Sequence, residues 1–321
     1  MKLVKEMAVL RGFAIIFVVS IHTFGGATFR AETYLCKLIC GMITSISQSG
    51  VPIFIFISGY LLYLRNKNDF SVVNFYKARF GRILPPYIFV AYIYSVLFHD
   101  FSLESFTFKL FTFNIHFHFG FIGLICSFYL FFPLLLTLFK KFNPYIFLFG
   151  SFAFQLIWII LLELPLVKLN YYFYPIISFP SHIFFFTLGM FFVKKKEKIF
   201  LISKYRIVLA ILTLLLLINA FINLNFISLG PKYELRIFGL SIIAILLLYR
   251  LSYRIKNNKF LKFIASYSYG IYLFHLLFER FFVFTYFYLP GMIYYFLLFL
   301  VCLFGSFLTT YVFNLVFTDF F

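Results

Sequence analysis

Residues 7–28 read MAVLRGFAIIFVVSIHTFGGAT, an apolar run that carries two ionisable side chains, Arg11 and His22. A helix needs about 20 mostly apolar residues to cross the hydrocarbon core of a bilayer, and this run has that length. It follows Lys2 and Lys5, as the apolar core of a secretory signal would. However, it holds Arg11 and His22 and lacks a convincing small-x-small cleavage site, so the sequence predicts a retained first membrane helix.

The rest of the chain repeats the pattern. Of its 321 residues, 64% are hydrophobic and 12% charged, against about 45–50% and about 25% in soluble domains. With 55 Phe and 24 Tyr, too little polar surface remains to solvate a globule. A cytosolic enzyme, a disordered chain and a secreted disulfide scaffold are excluded. Ten stretches have the length to cross a membrane: 7–28, 42–64, 83–99, 117–139, 144–162, 176–193, 207–223, 235–249, 264–285 and 292–316. Helices are the default, because backbone groups in lipid must be bonded within the segment and no alternating strand pattern is visible. The predicted fold is all-α: a polytopic membrane helical bundle of about ten transmembrane helices, with 1–321 as a single integral-membrane domain.

The net charge of +18 would suit a nucleic-acid binder in a soluble chain. In a membrane chain it sets orientation instead, because cytoplasmic loops are enriched in Lys and Arg. With the N-terminus inside, successive inner segments carry three, five, two, six and five basic residues, ending with Arg250 to Lys262. The outer side keeps seven: Arg30, Lys37, Lys109, Lys168, Lys232, Arg236 and Arg280. Both termini are therefore expected to be cytoplasmic, with membrane lipids around the bundle and no nucleic-acid partner. The aromatic clusters at 171–174 and 286–288 fall at expected outer ends, where interfacial belts belong. The four cysteines, Cys36, Cys40, Cys126 and Cys302, read as buried thiols with no zinc spacing.

Ionisable residues inside a membrane are costly and are functional candidates by default. Arg11 and His22 are eleven residues apart, close to three helical turns, so they share a face about 16 Å apart along the axis. Arg11 also fits a snorkelling anchor, and His22 a packing histidine; one stripe carrying both favours a joint role. The second span contains GVPIFIFISGY at 50–60, whose Pro52, Ser58 and Gly59 suit close helix packing. An inner basic stretch, FYKARFGRILPP at 75–86, places Arg79 and Arg82 three apart on one face, with Lys77 beside them. Guanidinium forks suit phosphate oxygens, and positive-inside anchoring is the competing account. His116 and His118 precede the fourth span, ahead of Tyr129 and Pro133. In the ninth, SYGIYLFHLLFER at 268–280 puts His275 within the bundle. No H-x-x-x-H pair or HExxH run occurs among the six His, so a metal site has no sequence support and none is expected.

The Arg11–His22 pair, the 50–60 segment and the Arg79/Arg82 entry together resemble the membrane-bound acyltransferase family 3. His118, Tyr129 and Pro133 resemble that family's histidine-led segment, although Gly120 stands where the family usually has Trp. Residues 268–275 resemble its Ser-Tyr-Gly-Ile-Tyr-Leu-x-His segment. The resemblance runs along about the whole chain, and is closest to short stand-alone members that O-acetylate surface polysaccharides or their lipid-linked precursors. It implies an acyl-CoA donor, usually acetyl-CoA, on the cytoplasmic side, and a glycan or lipid-linked glycan hydroxyl as acceptor. It also implies a multi-pass protein of the bacterial plasma membrane. On that reading His22, Arg11 and His118 are the catalytic candidates, with His275 and Glu279 behind them, and Arg79, Arg82 and Lys77 hold the donor phosphates. Imidazole titrates near neutrality and suits a base for acyl transfer to a hydroxyl; His22 could equally carry the acyl group itself. The rival class is a glycan or lipid exporter. Transporters usually show repeated halves with matching broken helices, and spans one to five and six to ten do not match.

Overall fold

The computed structural model describes residues 4–26, 33–98, 102–162, 178–194, 231–283 and 291–316. Among them helices account for nearly everything and no strand occurs. Among the described residues seven helical stretches are long and apolar enough to cross a membrane: Lys5–Gly25, Tyr34–Asn66, Val72–Phe98, Phe117–Lys141, Pro144–Leu161, Ile237–Arg254 and Gly291–Val316. Phe179–Lys194 is a shorter apolar helix. The expected span 207–223 lies outside the described residues.

The chain divides into two compact units. One comprises residues 1–57 and 197–319, the other residues 58–196 with the last two. In the first unit, α1 (Lys5–Gly25) is the centre: twelve of its residues, from Met7 to Phe24, are buried. Against it pack α2 (Tyr34–Ser47) and the start of α3 (Gly50–Asn66). Later residues of this unit form α9 (Pro231–Arg254), α10 (Lys259–Ser266), α11 (Ser268–Phe282), α12 (Gly291–Leu300) and α13 (Ser306–Val316). A single π turn, Val301–Gly305, joins α12 to α13. Helices in lipid gain nothing from hydrophobic burial against each other, so close packing at small residues does the work. An added Cβ at Gly12 would lie 2.5 Å from the carbonyl oxygen of Leu261 in α10, and one at Gly50 would lie 3.2 Å from that of Ala14. Gly270 is pressed against Thr310 in the same way, and Gly305 makes room for the Phe278 ring.

The second unit contains α4 (Val72–Phe98), α5 (Leu103–Phe111), α6 (Gly120–Lys141), α7 (Pro144–Leu161) and α8 (Ile183–Lys194). Short 3-10 turns at Phe117–Phe119 and Phe179–His182 lead into α6 and α8. Its core is aromatic: Phe128 stacks on Phe186 at 4.7 Å, and Phe132 packs on Phe75 at 5.0 Å.

Several boundaries differ from the sequence reading. The third span starts at Val72 rather than 83, because the basic stretch is itself helical and continues through Pro85 and Pro86. The second reaches back to Tyr34, with a break at Gln48–Ser49 where the Ser49 hydroxyl donates to Ile46 O at 2.7 Å. The stretch expected as one helix over 264–285 is broken at Tyr267. Between the third and fourth expected spans lies α5, whose N-terminus is capped by the Ser102 hydroxyl.

Candidate active site

In the first unit, α1 runs unbroken through both Arg11 and His22. The two therefore keep the three-turn spacing, about 16 Å along one stripe. Gly12, next to Arg11, lies against the backbone of Leu261 in α10, so the lower end of the stripe is set by backbone packing. At the upper end the His22 ring lies 5.2 Å from that of His275 on α11, the planes inclined by 39°. His275 is fully buried. Its Nδ1 is 2.7 Å from Tyr272 O. A carbonyl only accepts, so Nδ1 carries the proton, and Nε2 holds the ring's lone pair while the imidazole is neutral. One helical turn further along α11, Glu279 is half-buried.

The second unit carries the remaining candidates. His118 is buried in the 3-10 turn before α6, and its Nδ1 is 2.9 Å from Nδ1 of His116. One ring must donate and the other accept, so the pair shares a proton and each fixes the other's tautomer. Tyr94 of α4 packs on both, at 5.1 and 5.2 Å. On the same helix, the Arg79 guanidinium lies over the rings of Phe75, at 5.8 Å, and Tyr129, at 6.0 Å. Its Nε is buried with no hydrogen-bond partner among the described residues. Tyr76 donates from its hydroxyl to Leu130 O at 2.8 Å, which ties this end of α4 to α6. Arg82 is exposed one turn on, and Lys77 is exposed too. At 100° per residue Lys77 is about 200° round the helix from Arg79, so only the two arginines share a face.

Of the sequence candidates, His22 thus meets His275 in one unit, and Arg79 meets Tyr129 in the other, where His118 is paired with His116. Two of these partners, His275 and His116, carry more than the sequence reading assigned them. The signals were there: a histidine in an otherwise apolar helix, and an H-x-H spacing. No group of three or more His, Cys, Asp or Glu able to hold a metal occurs among the described residues.

Paired imidazoles within an apolar helical bundle, together with a stacked guanidinium at a helix entry, are chemistry for moving a proton and holding an anion. The membrane-length apolar helices that carry them define the chain as a helical membrane protein. A family model described as "Acyltransferase domain" matches residues 4–311, and the chain belongs to this family, acyltransferase family 3. No curated protein and no solved structure matches it.

Proposed function

We propose that the protein is an O-acyltransferase of the cell membrane that moves an acetyl group from acetyl-CoA to a hydroxyl of a cell-surface polysaccharide or its lipid-linked precursor. The observation that carries this reading is the His22–His275 pair, with His275 locked by Tyr272 into the tautomer that leaves Nε2 basic. In the direct route, His22 takes the proton from the acceptor hydroxyl as its oxygen attacks the thioester carbonyl. The C–O bond forms, the C–S bond breaks, and CoA leaves as a thiolate that the imidazolium protonates. In the two-step route a His22 nitrogen attacks the thioester, the CoA thiolate leaves and takes up the ring proton, and the acceptor hydroxyl then attacks the acetyl-imidazole, breaking the N–C bond and returning its proton to the ring. Both routes need the same ring in the same place. Arg11 lies about three turns below His22 on the same stripe, where a cation would orient the donor. Arg79 and Arg82 offer forked donors for the CoA phosphates on the cytoplasmic side. His118, its tautomer set by His116, is the second candidate for contact with the acceptor.

The test is labelled acetyl transfer from acetyl-CoA to membrane glycan by the purified protein in lipid vesicles. General-base catalysis contributes about 10²–10⁴-fold, so His22→Gln should remove at least that much while membrane levels stay near wild type. A loss smaller than tenfold, or a fall in folded protein that matches the fall in activity, would make His22 a packing residue.

A further inference from the structure

Helix α7 and the segment leading into α8 hold polar groups that the proposed chemistry does not use. They are in register. The Ser151 and Thr187 hydroxyls are 2.6 Å apart. Four residues along α7, the fully buried Gln155 accepts at Oε1 from the backbone N–H of Phe184 at 2.9 Å. The helices are antiparallel, so three residues further along α7 and three back from Phe184 bring Trp158 level with Ser181. Phe184 N fixes which end of the Gln155 amide is oxygen, and the Nε2 end is buried with no partner among the described residues. The same holds for Trp158 Nε1 and for Ser181 Oγ. Ser181 is 2% exposed, whereas Trp158 as a whole is only half-buried. Three unfilled polar groups on two adjacent rungs of one helix pair are unusual, since buried N–H and O–H groups nearly always find an acceptor.

We propose that this corner is a subsite for a sugar ring of the acceptor. The proposal rests on the acetyl-transfer reading for its choice of a glycan. The chemistry fits a neutral polyhydroxyl ligand. The Gln155 amide and the indole N–H supply three hydrogens for hydroxyl, ring or amide oxygens. Ser181 Oγ can receive a hydroxyl proton in return. Trp158 is half-buried, and an indole supplies a flat apolar face against which the C–H face of a pyranose can pack. Pockets for small molecules combine an apolar wall with a few placed polar groups in this way. On the threading read from the basic residues, this end of α7 faces outward, the side from which an envelope glycan would be reached.

Trp158 is the only tryptophan in the chain, so its emission reports on the subsite without labelling. Full-length protein in lipid nanodiscs would be titrated with methyl pyranosides of glucose, galactose, mannose, rhamnose and N-acetylglucosamine, with sorbitol as the control for bulk hydroxyls. A saturable change in Trp158 emission is expected with at least one pyranoside and not with sorbitol. It should be lost in Gln155→Leu and weakened in Ser181→Ala, which removes one hydroxyl without burying anything new. In the transfer assay Ser181→Ala should raise the acceptor KM about tenfold, the effect of about one lost hydrogen bond, and leave the acetyl-CoA KM unchanged. If no pyranoside shifts the emission, or if Gln155→Leu responds like wild type, the groups are bridged by water and the subsite reading is overturned, whatever the transfer assay gives. Conversely, absence of acetyl transfer in wild type would remove the catalytic reading while the titration still decides whether sugars bind here.

Discussion

Gly12→Ala tests whether the Arg11–His22 stripe is positioned by steric contact. The ideal Cβ at this position lies 2.5 Å from Leu261 O, 3.1 Å from its carbonyl carbon and 3.2 Å from its Cα. All three are backbone atoms, and the Leu261 N–H is held at 2.9 Å by the Asn258 side chain that caps α10. No side chain can swing away, so α1 and α10 must separate. Bringing the closest contact beyond the 3.0 Å below which real Cβ atoms are essentially never found needs a shift of at least about 0.5 Å. Overpacking of this kind costs about 1–3 kcal/mol. Alanine regains about 0.5–1 kcal/mol of helix propensity, so the net loss is about 0–2.5 kcal/mol. Function should suffer more. A misplacement of about 1 Å can cost about 10²-fold in rate, and half of that on the helix that carries Arg11 and His22 should cost about tenfold. Stability can be followed with a thiol-reactive dye during heating, since all four cysteines are free and buried until the protein unfolds. Gly239→Ala is the control, because nothing lies within 4 Å of its added Cβ. If Gly12→Ala transfers acetyl at the wild-type rate and is as stable as Gly239→Ala, the contact with Leu261 does not hold the stripe in place.

Arg79→Gln should raise the acetyl-CoA KM and leave the acceptor KM unchanged, with Arg79→Lys recovering only part of the loss because an ammonium is a point charge and stacks poorly; unchanged donor affinity would leave Arg79 as a topological anchor. His116→Phe keeps the packing on Tyr94 but removes the proton shared with His118, so the pH–rate profile should move while protein levels hold; an unmoved profile would detach His118 from the chemistry. Single cysteines introduced at 68 and 142 in a background with the four native cysteines replaced should resist membrane-impermeant thiol reagents in intact cells, and labelling at either position would overturn the threading.

Much of the bundle was legible because a membrane imposes a length: each apolar run near 20 residues marks a helix. The edges were not, because charge reads as loop. Residues 72–82 carry Lys77, Arg79 and Arg82, yet they are helical: Tyr76 is bonded to Leu130 O and Arg79 is stacked on Phe75 and Tyr129, all within one unit. Spacing along one helix was also legible, which is why Arg11 and His22 could be placed on a common stripe. What faces that stripe was not. His275 is distant in sequence, and only the packing of α11 against α1 brings the two rings to 5.2 Å. Gln155 and Trp158 are hidden in the sequence for a different reason. A neutral amide and an indole in an apolar run carry no charge to attract attention, and only the unfilled N–H groups reveal them.

The close approaches explain how an apolar bundle fixes a polar site. In the first unit four glycines register the helices that carry or support the two imidazoles: Gly12 against Leu261, Gly50 against Ala14, Gly270 against Thr310, and Gly305 against Phe278. Each is a hard contact whose distance rises steeply in energy when shortened and is not screened by salt. Hydroxyls on these helices turn back on their own carbonyls, as Thr23 does to Val19 at 3.0 Å and Thr310 to Ser306 at 2.7 Å. The helices that carry the histidines are therefore registered by shape, and the His275 ring is oriented by its Nδ1 bond to Tyr272 O. On this argument substitutions that change volume at the four glycines should alter the rate of transfer, whereas changes of ionic strength should act on the proposed donor contacts of Arg79 and Arg82.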